Sequence, residues 1–162
     1  MSQNQKNKKN TIMWGPATRK LLHILASKVD NQFFVNKKNE ILDLIKLICF
    51  NLPCPTCSQH SKQIIIPIFT NKITTKELLI DFLFSFHNHV NERSGKPQIK
   101  KENLKKYENM NLGIAIHNFK IFYAKSYNNN TFHLNLQYNQ TKRKNVVNKT
   151  INFINKNLKF FT

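Results

Sequence analysis

The chain has 162 residues, of which 40% are hydrophobic, including 13 Phe. This is enough for one domain with a real core. With only 3 Gly and 5 Pro, the composition argues against a turn-rich β-sandwich and favours helices. The 26 Lys and Arg outnumber 8 Asp and Glu, giving a formal charge of +18. The Lys and Arg residues are spread along an Asn-rich chain and do not form one block. A solvated basic surface is therefore favoured over nucleic-acid binding.

The N-terminal residues 1–11 are polar and basic, and we predict a disordered tail there. No apolar run follows them, so we expect no secretory leader. No segment approaches the roughly 18–20 apolar residues of a membrane span, so we expect no membrane partner. The 3 Cys are an odd number, which makes a secreted disulfide scaffold a poor explanation. In a reducing compartment, a close Cys pair is more often catalytic or metal-binding.

Helical periodicity dominates the chain after Trp14. The first helix has one apolar face and contains Pro16, which we place in its first turn. Asn36 is the predicted N-cap of a second helix, which ends before Pro53. A third helix opens at Pro53 or Cys54 and runs toward residue 67.

A fourth helix has the clearest start and stop signals. Thr74 and Glu77 have the spacing of a capping box, and Gly95 and Pro97 end the helix. Residues 101–107 form a short fifth helix. Four amphipathic helices with short connections predict an all-α bundle over residues 12–110, and bundles hold cofactors between facing helices.

Residues 111–162 form a C-terminal extension whose pattern is weaker. Residues 116–123 favour a helix, whereas the strict alternation at 132–138 could form a strand, and 147–158 are again helical. Residues 128–130, all Asn, predict a loop. We expect the extension to be mainly helical.

The segment NLPCPTCSQHSKQ carries the sharpest chemical signal. Cys54, Cys57 and His60 are spaced three and three, so they share one helix face. Their position at a helix start, with Pro55 in the first turn, exposes free N–H groups that stabilise a thiolate. This arrangement suits thiol–disulfide exchange.

Two other interpretations of the cysteine pair are open at this point. Cys54, Cys57 and His60 could bind zinc together with a distant ligand such as His87, in a zinc-stabilised basic binding module. Alternatively, residues 44–50 could be a strand that leads into a thioredoxin-like motif. Cys49 lies in an apolar run and is predicted to be a buried, inert thiol.

A second polar group lies in FHNHVNERSGKP. His87, Asn88 and Asn91 lie within one turn of each other beside apolar side chains and need polar partners. With Arg93 and Lys96 after them, they suit a flat heteroaromatic ligand that carries phosphates. A third group, WGPATRKLLH, contains the single Trp and His23.

These three segments resemble the Erv/ALR-type FAD-linked sulfhydryl oxidases. Their order and spacing both match, and the resemblance covers about residues 12–108. The residues that carry it are Trp14-Gly15 with His23, Cys54-Pro55-Thr56-Cys57 with His60, and Phe86-His87-Asn88 with Val90-Asn91 and Gly95-Lys96-Pro97.

The resemblance implies a bundle of four helices plus a short fifth that holds FAD. It makes Cys57 the flavin-proximal cysteine and Cys54 the outer one that exchanges with substrate; no metal is expected. The residues implied to bind FAD are Trp14, Gly15, His23, His60, His87, Asn88, Val90, Asn91, Lys96 and Tyr107.

The resemblance also implies partners and a setting. Thiol-containing protein substrates would be oxidised, O₂ would accept the electrons to give H₂O₂, and the chain would form a homodimer. The single Cys-x-x-Cys is similar to the minimal members of large DNA viruses, which implies the cytoplasm of an infected cell, the virion, or both. Arg19 and Phe82 depart from the family pattern, which usually has Trp at both positions.

Overall fold

A computed structural model describes the backbone of residues 3–69, 71–125 and 133–162, and all regular elements there are helices. The predicted all-α class is confirmed, and residues 12–110 contain four α-helices followed by a short 3₁₀ helix. The elements are α1 (Gln3–Lys28), α2 (Asn31–Cys49), α3 (Pro55–Phe69), α4 (Lys76–Arg93), a 3₁₀ helix (Lys101–Tyr107), α5 (Leu112–Ala124), α6 (His133–Lys156) and a terminal 3₁₀ turn (Leu158–Phe160).

The start of α1 differs from the sequence prediction. Residues 3–11 are helical rather than a disordered tail, because once later turns are packed, each added residue extends the helix by one hydrogen bond without a new nucleation cost. Pro16 therefore lies inside the helix and not in its first turn. Its missing N–H removes one helical hydrogen bond there.

Two helix starts are also shifted. Asp30, not Asn36, caps α2, and its Oδ1 accepts from the Phe33 N–H at 2.8 Å. The backbone does leave helical geometry at Lys37, directly after Asn36, so the local signal there produces a kink instead of a start. At α4 the capping hydroxyl belongs to Thr75, which accepts from the Leu78 N–H.

The end of α4 follows the prediction. Gly95 has φ of 63°, a conformation that glycine adopts without a Cβ penalty. The Lys96 N–H donates to the Asn91 carbonyl at 2.8 Å and the Gly95 N–H to the Glu92 carbonyl at 3.1 Å. This is the Schellman pattern of a helix C-terminus, and it turns the chain back along α4.

The C-terminal extension packs into the same core as the bundle. Phe119 and Tyr123 of α5 are fully buried, and α5 packs mainly along α1. The Tyr123 O–H donates to the Ile48 carbonyl at 2.7 Å. Near the C-terminus, the Asp30 N–H donates to the Phe160 carbonyl at 2.8 Å. The extension therefore holds the ends of α1 and α2.

The strand considered for residues 132–138 is wrong where the structure describes the chain, because α6 begins at His133. A short polar–apolar alternation is overridden when the following residues pack as a helix, as Val146, Val147 and Ile154 do. Residue 132 and the loop predicted at 128–130 lie outside the described residues. No helix within the described ranges is long and apolar enough to cross a membrane.

Candidate functional site

A disulfide joins Cys54 and Cys57 at the start of α3, with their Cα atoms 5.2 Å apart. Pro55 is the first residue of α3, where its missing N–H costs no helical bond. The Cys54 carbonyl accepts from the Ser58 N–H at 3.0 Å, so Cys54 is the N-cap. The predicted start at Pro53 or Cys54 is thus one or two residues early.

The Cys54 sulfur has donors close to it. The Cys57 N–H points at Cys54 Sγ at 3.2 Å, and Thr56 Oγ1 lies 3.2 Å from the same sulfur. Both groups belong to the first turn of α3, where the helix dipole is positive. Donors of this kind favour the thiolate form of a cysteine over the thiol.

The third cysteine lies apart from this chemistry. Cys49 is in α2 and is buried, and burial raises the pKa of its thiol to about 12. Its predicted inert role agrees with this environment. Residues 44–49 are helical, so the thioredoxin-like alternative, which needs a strand there, is wrong.

Two buried histidines meet between α1 and α4. His87 Nδ1 and His23 Nε2 are 2.6 Å apart, and the Tyr107 ring stacks on His23 with centroids 4.6 Å apart and planes 11° apart. All three side chains are buried. The structure therefore brings together three of the predicted cofactor residues, from elements far apart in sequence.

The histidine pair is held neutral. Burial, followed by the charges of Arg19 and Lys106, lowers the pKa of His23 to about 4. Burial, followed by His23 and Arg19, also holds the pKa of His87 well below its ordinary value. Near neutral pH one imidazole therefore donates the shared hydrogen bond and the other accepts it.

Asn88 and Asn91 hold the loop that follows α4. Asn88 Oδ1 accepts from the Ile99 N–H at 2.8 Å, and its Nδ2 donates to the Ile99 carbonyl at 3.0 Å. Asn91 Nδ2 donates to the Pro97 carbonyl at 3.1 Å. Both amides thus hold residues 97–99 against α4. A direct contact with FAD stays a prediction for each.

The other predicted cofactor residues lie outside this cluster. Trp14 is half-buried, and its carbonyl accepts from the Thr18 hydroxyl at 2.7 Å. Space is open beside the Gly15 Cα, which leaves room for close approach. Val90 and Lys96 are exposed on or just after α4, and His60 is half-buried on α3. Their roles toward FAD stay predictions.

Sequence reasoning did not assign Arg19 to the site. Arg19 Nη2 donates to Asn91 Oδ1 at 3.1 Å, which places the guanidinium beside the histidine cluster. Lys106 is also near, with its Nζ 5.2 Å from the centre of the Tyr107 ring. Arg19 precedes His23 by four residues on one helix, so the spacing alone was a usable signal.

The disulfide and the histidine cluster are two separate groups. Within residues 13–69, 71–125 and 139–162, no hydrogen bond, ion pair or ring contact joins Cys54 or Cys57 to His23 or His87. In the same ranges no three His, Cys, Asp or Glu side chains come together as a metal-ligand group. The bundle thus carries a disulfide at the start of α3 and a polar ring cluster between α1 and α4.

Comparison with known proteins finds one family model and two viral relatives. The model of the Erv1/Alr family matches residues 16–110. Protein 096R of Invertebrate iridescent virus 3, named as a candidate FAD-linked sulfhydryl oxidase, is 31% identical over 88 residues. Protein 347L of Invertebrate iridescent virus 6, named in the same way, is 32% identical over 95 residues.

The matches to the two viral proteins cover only part of this chain and part of each relative. They span 54% and 52% of this chain, and 60% and 82% of the two relatives. No solved structure matches the chain at a significant level. Since the family model covers more than half of its residues, the chain belongs to the Erv1/Alr family.

Proposed function

We propose that the chain is an FAD-linked sulfhydryl oxidase that forms disulfides in thiol-containing proteins. The observation that carries this proposal is the Cys54–Cys57 disulfide at the N-terminus of α3, inside a bundle of the Erv1/Alr family. Both viral relatives are named as enzymes of this kind.

The residues between α1 and α4 fit a ring-bearing anionic cofactor such as FAD. Three flat side chains, His23, His87 and Tyr107, lie together. The neutral imidazoles can donate or accept hydrogen bonds. Arg19 has a buried Nε with no hydrogen-bond partner among the described residues, and a cofactor oxygen would satisfy it. Exposed Lys96 could reach the phosphates.

The thiol chemistry follows from the first turn of α3. A substrate thiolate attacks Cys54 Sγ, the Cys54–Cys57 bond breaks, and Cys57 leaves as a thiolate. A second substrate thiol then attacks the mixed disulfide. The substrate leaves as a disulfide. The two electrons that it has lost remain on Cys54 and Cys57, which are now a dithiol.

The dithiol must then be reoxidised. Bound FAD would supply the two-electron acceptor for this dithiol, with O₂ as the final acceptor and H₂O₂ as its product. Cys57 is the proximal cysteine in this proposal, and Cys54 is the outer one. The donors around Cys54 Sγ keep it a thiolate, ready to close the disulfide again.

The setting follows from the relatives. Both come from iridescent viruses, so we propose that the chain acts in the cytoplasm of an infected cell, in the virion, or in both. Assembly as a homodimer stays a prediction.

Spectroscopy and three cysteine variants test the proposal. The purified protein should be yellow, with flavin absorption that bleaches on addition of a dithiol under nitrogen. Cys57→Ala should lose oxidase activity toward every thiol. Cys54→Ala should lose activity toward protein thiols but keep more of its reaction with small dithiols, which can reach Cys57 directly.

Cys49→Ala is the matched control because it removes a thiol from the buried end of α2, and its oxidase activity should stay within about twofold of the wild type. Full activity in both Cys54→Ala and Cys57→Ala would contradict the dithiol assignment. A colourless protein that binds no added FAD would contradict the proposed function as a whole.

A further inference from the structure

Arg19 brings a positive charge into the histidine cluster. It lies one turn before His23 on α1, and its Nη2 donates to Asn91 Oδ1 across to α4 at 3.1 Å. Asn91 is itself buried and held by the Pro97 carbonyl. This hydrogen bond holds the guanidinium against α4, beside the histidine cluster.

This position is costly in the protein alone. The Arg19 Nε atom is buried and has no hydrogen-bond partner among the described residues, and such an unmet donor normally destabilises a fold. The three salt bridges within the described ranges pair Lys37, Lys46 and Lys101 with carboxylates and leave Arg19 out. Burial accordingly lowers the pKa of Arg19.

No carboxylate within the described ranges forms a salt bridge with Arg19. Its charge acts on His23, His87 and Tyr107, so these rings lie near it, and the Lys106 Nζ lies 5.2 Å from the centre of the Tyr107 ring. A bound group that satisfies Nε here must therefore bring its own oxygen or ring-nitrogen acceptor, and an electron-rich acceptor would be favoured.

We propose that Arg19 is a cofactor-binding residue whose Nε–H donates to an electron-rich acceptor of bound FAD, and that its charge stabilises the cofactor's negative charge. This inference rests on the proposed function. It assigns a charged cofactor contact to a position where the sequence resemblance led us to expect an indole. The acceptor belongs either to the flavin ring or to the diphosphate, and the two sources have different consequences.

The test uses the FAD-bound full chain and three variants. Arg19→Gln removes the charge and the planar fork, whereas Arg19→Lys keeps the charge alone. Lys20→Gln is the matched control, because it makes the same charge change at an exposed neighbour on α1. Two quantities are measured: the rate of FAD release after dilution, from flavin fluorescence, and the reduction potential of bound FAD, against a reference dye.

Arg19→Gln should release FAD at least about tenfold faster than the wild type, the cost expected for a hydrogen bond with a charged group. Arg19→Lys should lie between them, and Lys20→Gln should match the wild type. A more negative reduction potential in Arg19→Gln would place the acceptor on the flavin ring, where reduction adds electron density. An unchanged potential with faster release would place it on the diphosphate.

Arg19→Gln that matches Lys20→Gln in both release rate and potential would overturn the proposal. If the Arg19→Gln protein folds but holds no FAD, the proposal is supported, because FAD release is then too fast for any cofactor to remain bound. The rate of FAD release is in that case measured on Arg19→Lys. A wild-type chain that binds no FAD overturns the proposed function instead. That failure appears before any variant is made, so the two are distinguishable.

Discussion

Tyr123→Phe should weaken the attachment of the C-terminal extension by removing one buried hydrogen bond. The Tyr123 O–H donates to the Ile48 carbonyl at 2.7 Å, next to the last residue of α2, where carbonyls lack helical partners. Tyr123 is fully buried. Burial, followed by the nearby Cys49, raises the pKa of its phenol, so it stays a donor at any ordinary assay pH.

The size of the effect follows from what remains at the acceptor. Within the described part of the chain, the Ile48 carbonyl also accepts a longer bond from the Asn51 N–H, at 3.3 Å, so the loss of the tyrosine hydrogen bond is partly compensated. A neutral hydrogen bond contributes about 1 kcal/mol, and a buried acceptor left unmet costs about 1–3 kcal/mol. We expect the free energy of unfolding to fall by about 1–2 kcal/mol, or Tm by about 3–6 °C for a chain of this length.

Urea unfolding followed by far-ultraviolet circular dichroism measures this change, with the denaturant slope checked for constancy. Ile121→Ala on the same helix is the control, because Ile121 is 45% exposed and its truncation should cost less than about 0.5 kcal/mol. A Tyr123→Phe protein within about 0.5 kcal/mol of the wild type would refute the reasoning.

Three further predictions concern the site. The pKa of His23 in the folded chain is depressed to about 4. Between about pH 4 and about pH 6.5, the unfolded chain therefore binds more protons than the folded chain. Stability should therefore fall on acidification, by about 2 kcal/mol per histidine from pH 7 to pH 5, and His23→Gln should flatten the measured profile. Asn91→Ala, which leaves the Pro97 carbonyl and Arg19 without their partner, should lower the unfolding free energy by about 2–4 kcal/mol in urea. After reduction, the native protein should react with two equivalents of a thiol reagent at neutral pH, and Cys49 only after denaturation.

Each of these has a contrary outcome. An equal pH slope in His23→Gln and wild type would mean that the histidine is hydrated and titrates normally. Asn148→Ala, at an exposed site on α6, should be nearly neutral, and an equally small effect at Asn91 would deny its anchoring role. Rapid labelling of all three cysteines in the native protein would show that the end of α2 opens readily.

Local signals in the sequence predicted a helix end well where all the residues that determine it lie within one turn of the chain. Gly95 ends α4 because only the next few N–H groups and a positive φ are needed. The Cys-x-x-Cys begins α3 for the same reason, since Pro55 and the free N–H groups of the first turn lie within four residues. The resemblance to a family depended on such short segments as well.

The starts of helices were harder to predict, because two good capping residues can lie close together in the sequence. Asp30 and Asn36 both suit an N-cap, and their local chemistry does not choose between them. In the folded chain the Asp30 N–H is already bound to the Phe160 carbonyl, which fixes the entry to α2 at that point. Contact with the C-terminal extension thus determines where α2 begins.

Only the tertiary structure decided which polar groups meet. His23 and His87 are 64 residues apart, and no local pattern says that α1 and α4 face each other at that level. The same packing directs Arg19 toward Asn91, and so makes a charged residue part of the candidate cofactor site. Sequence determines the chemistry available on each helix face, whereas the burial of those faces against one another determines which chemistry is assembled.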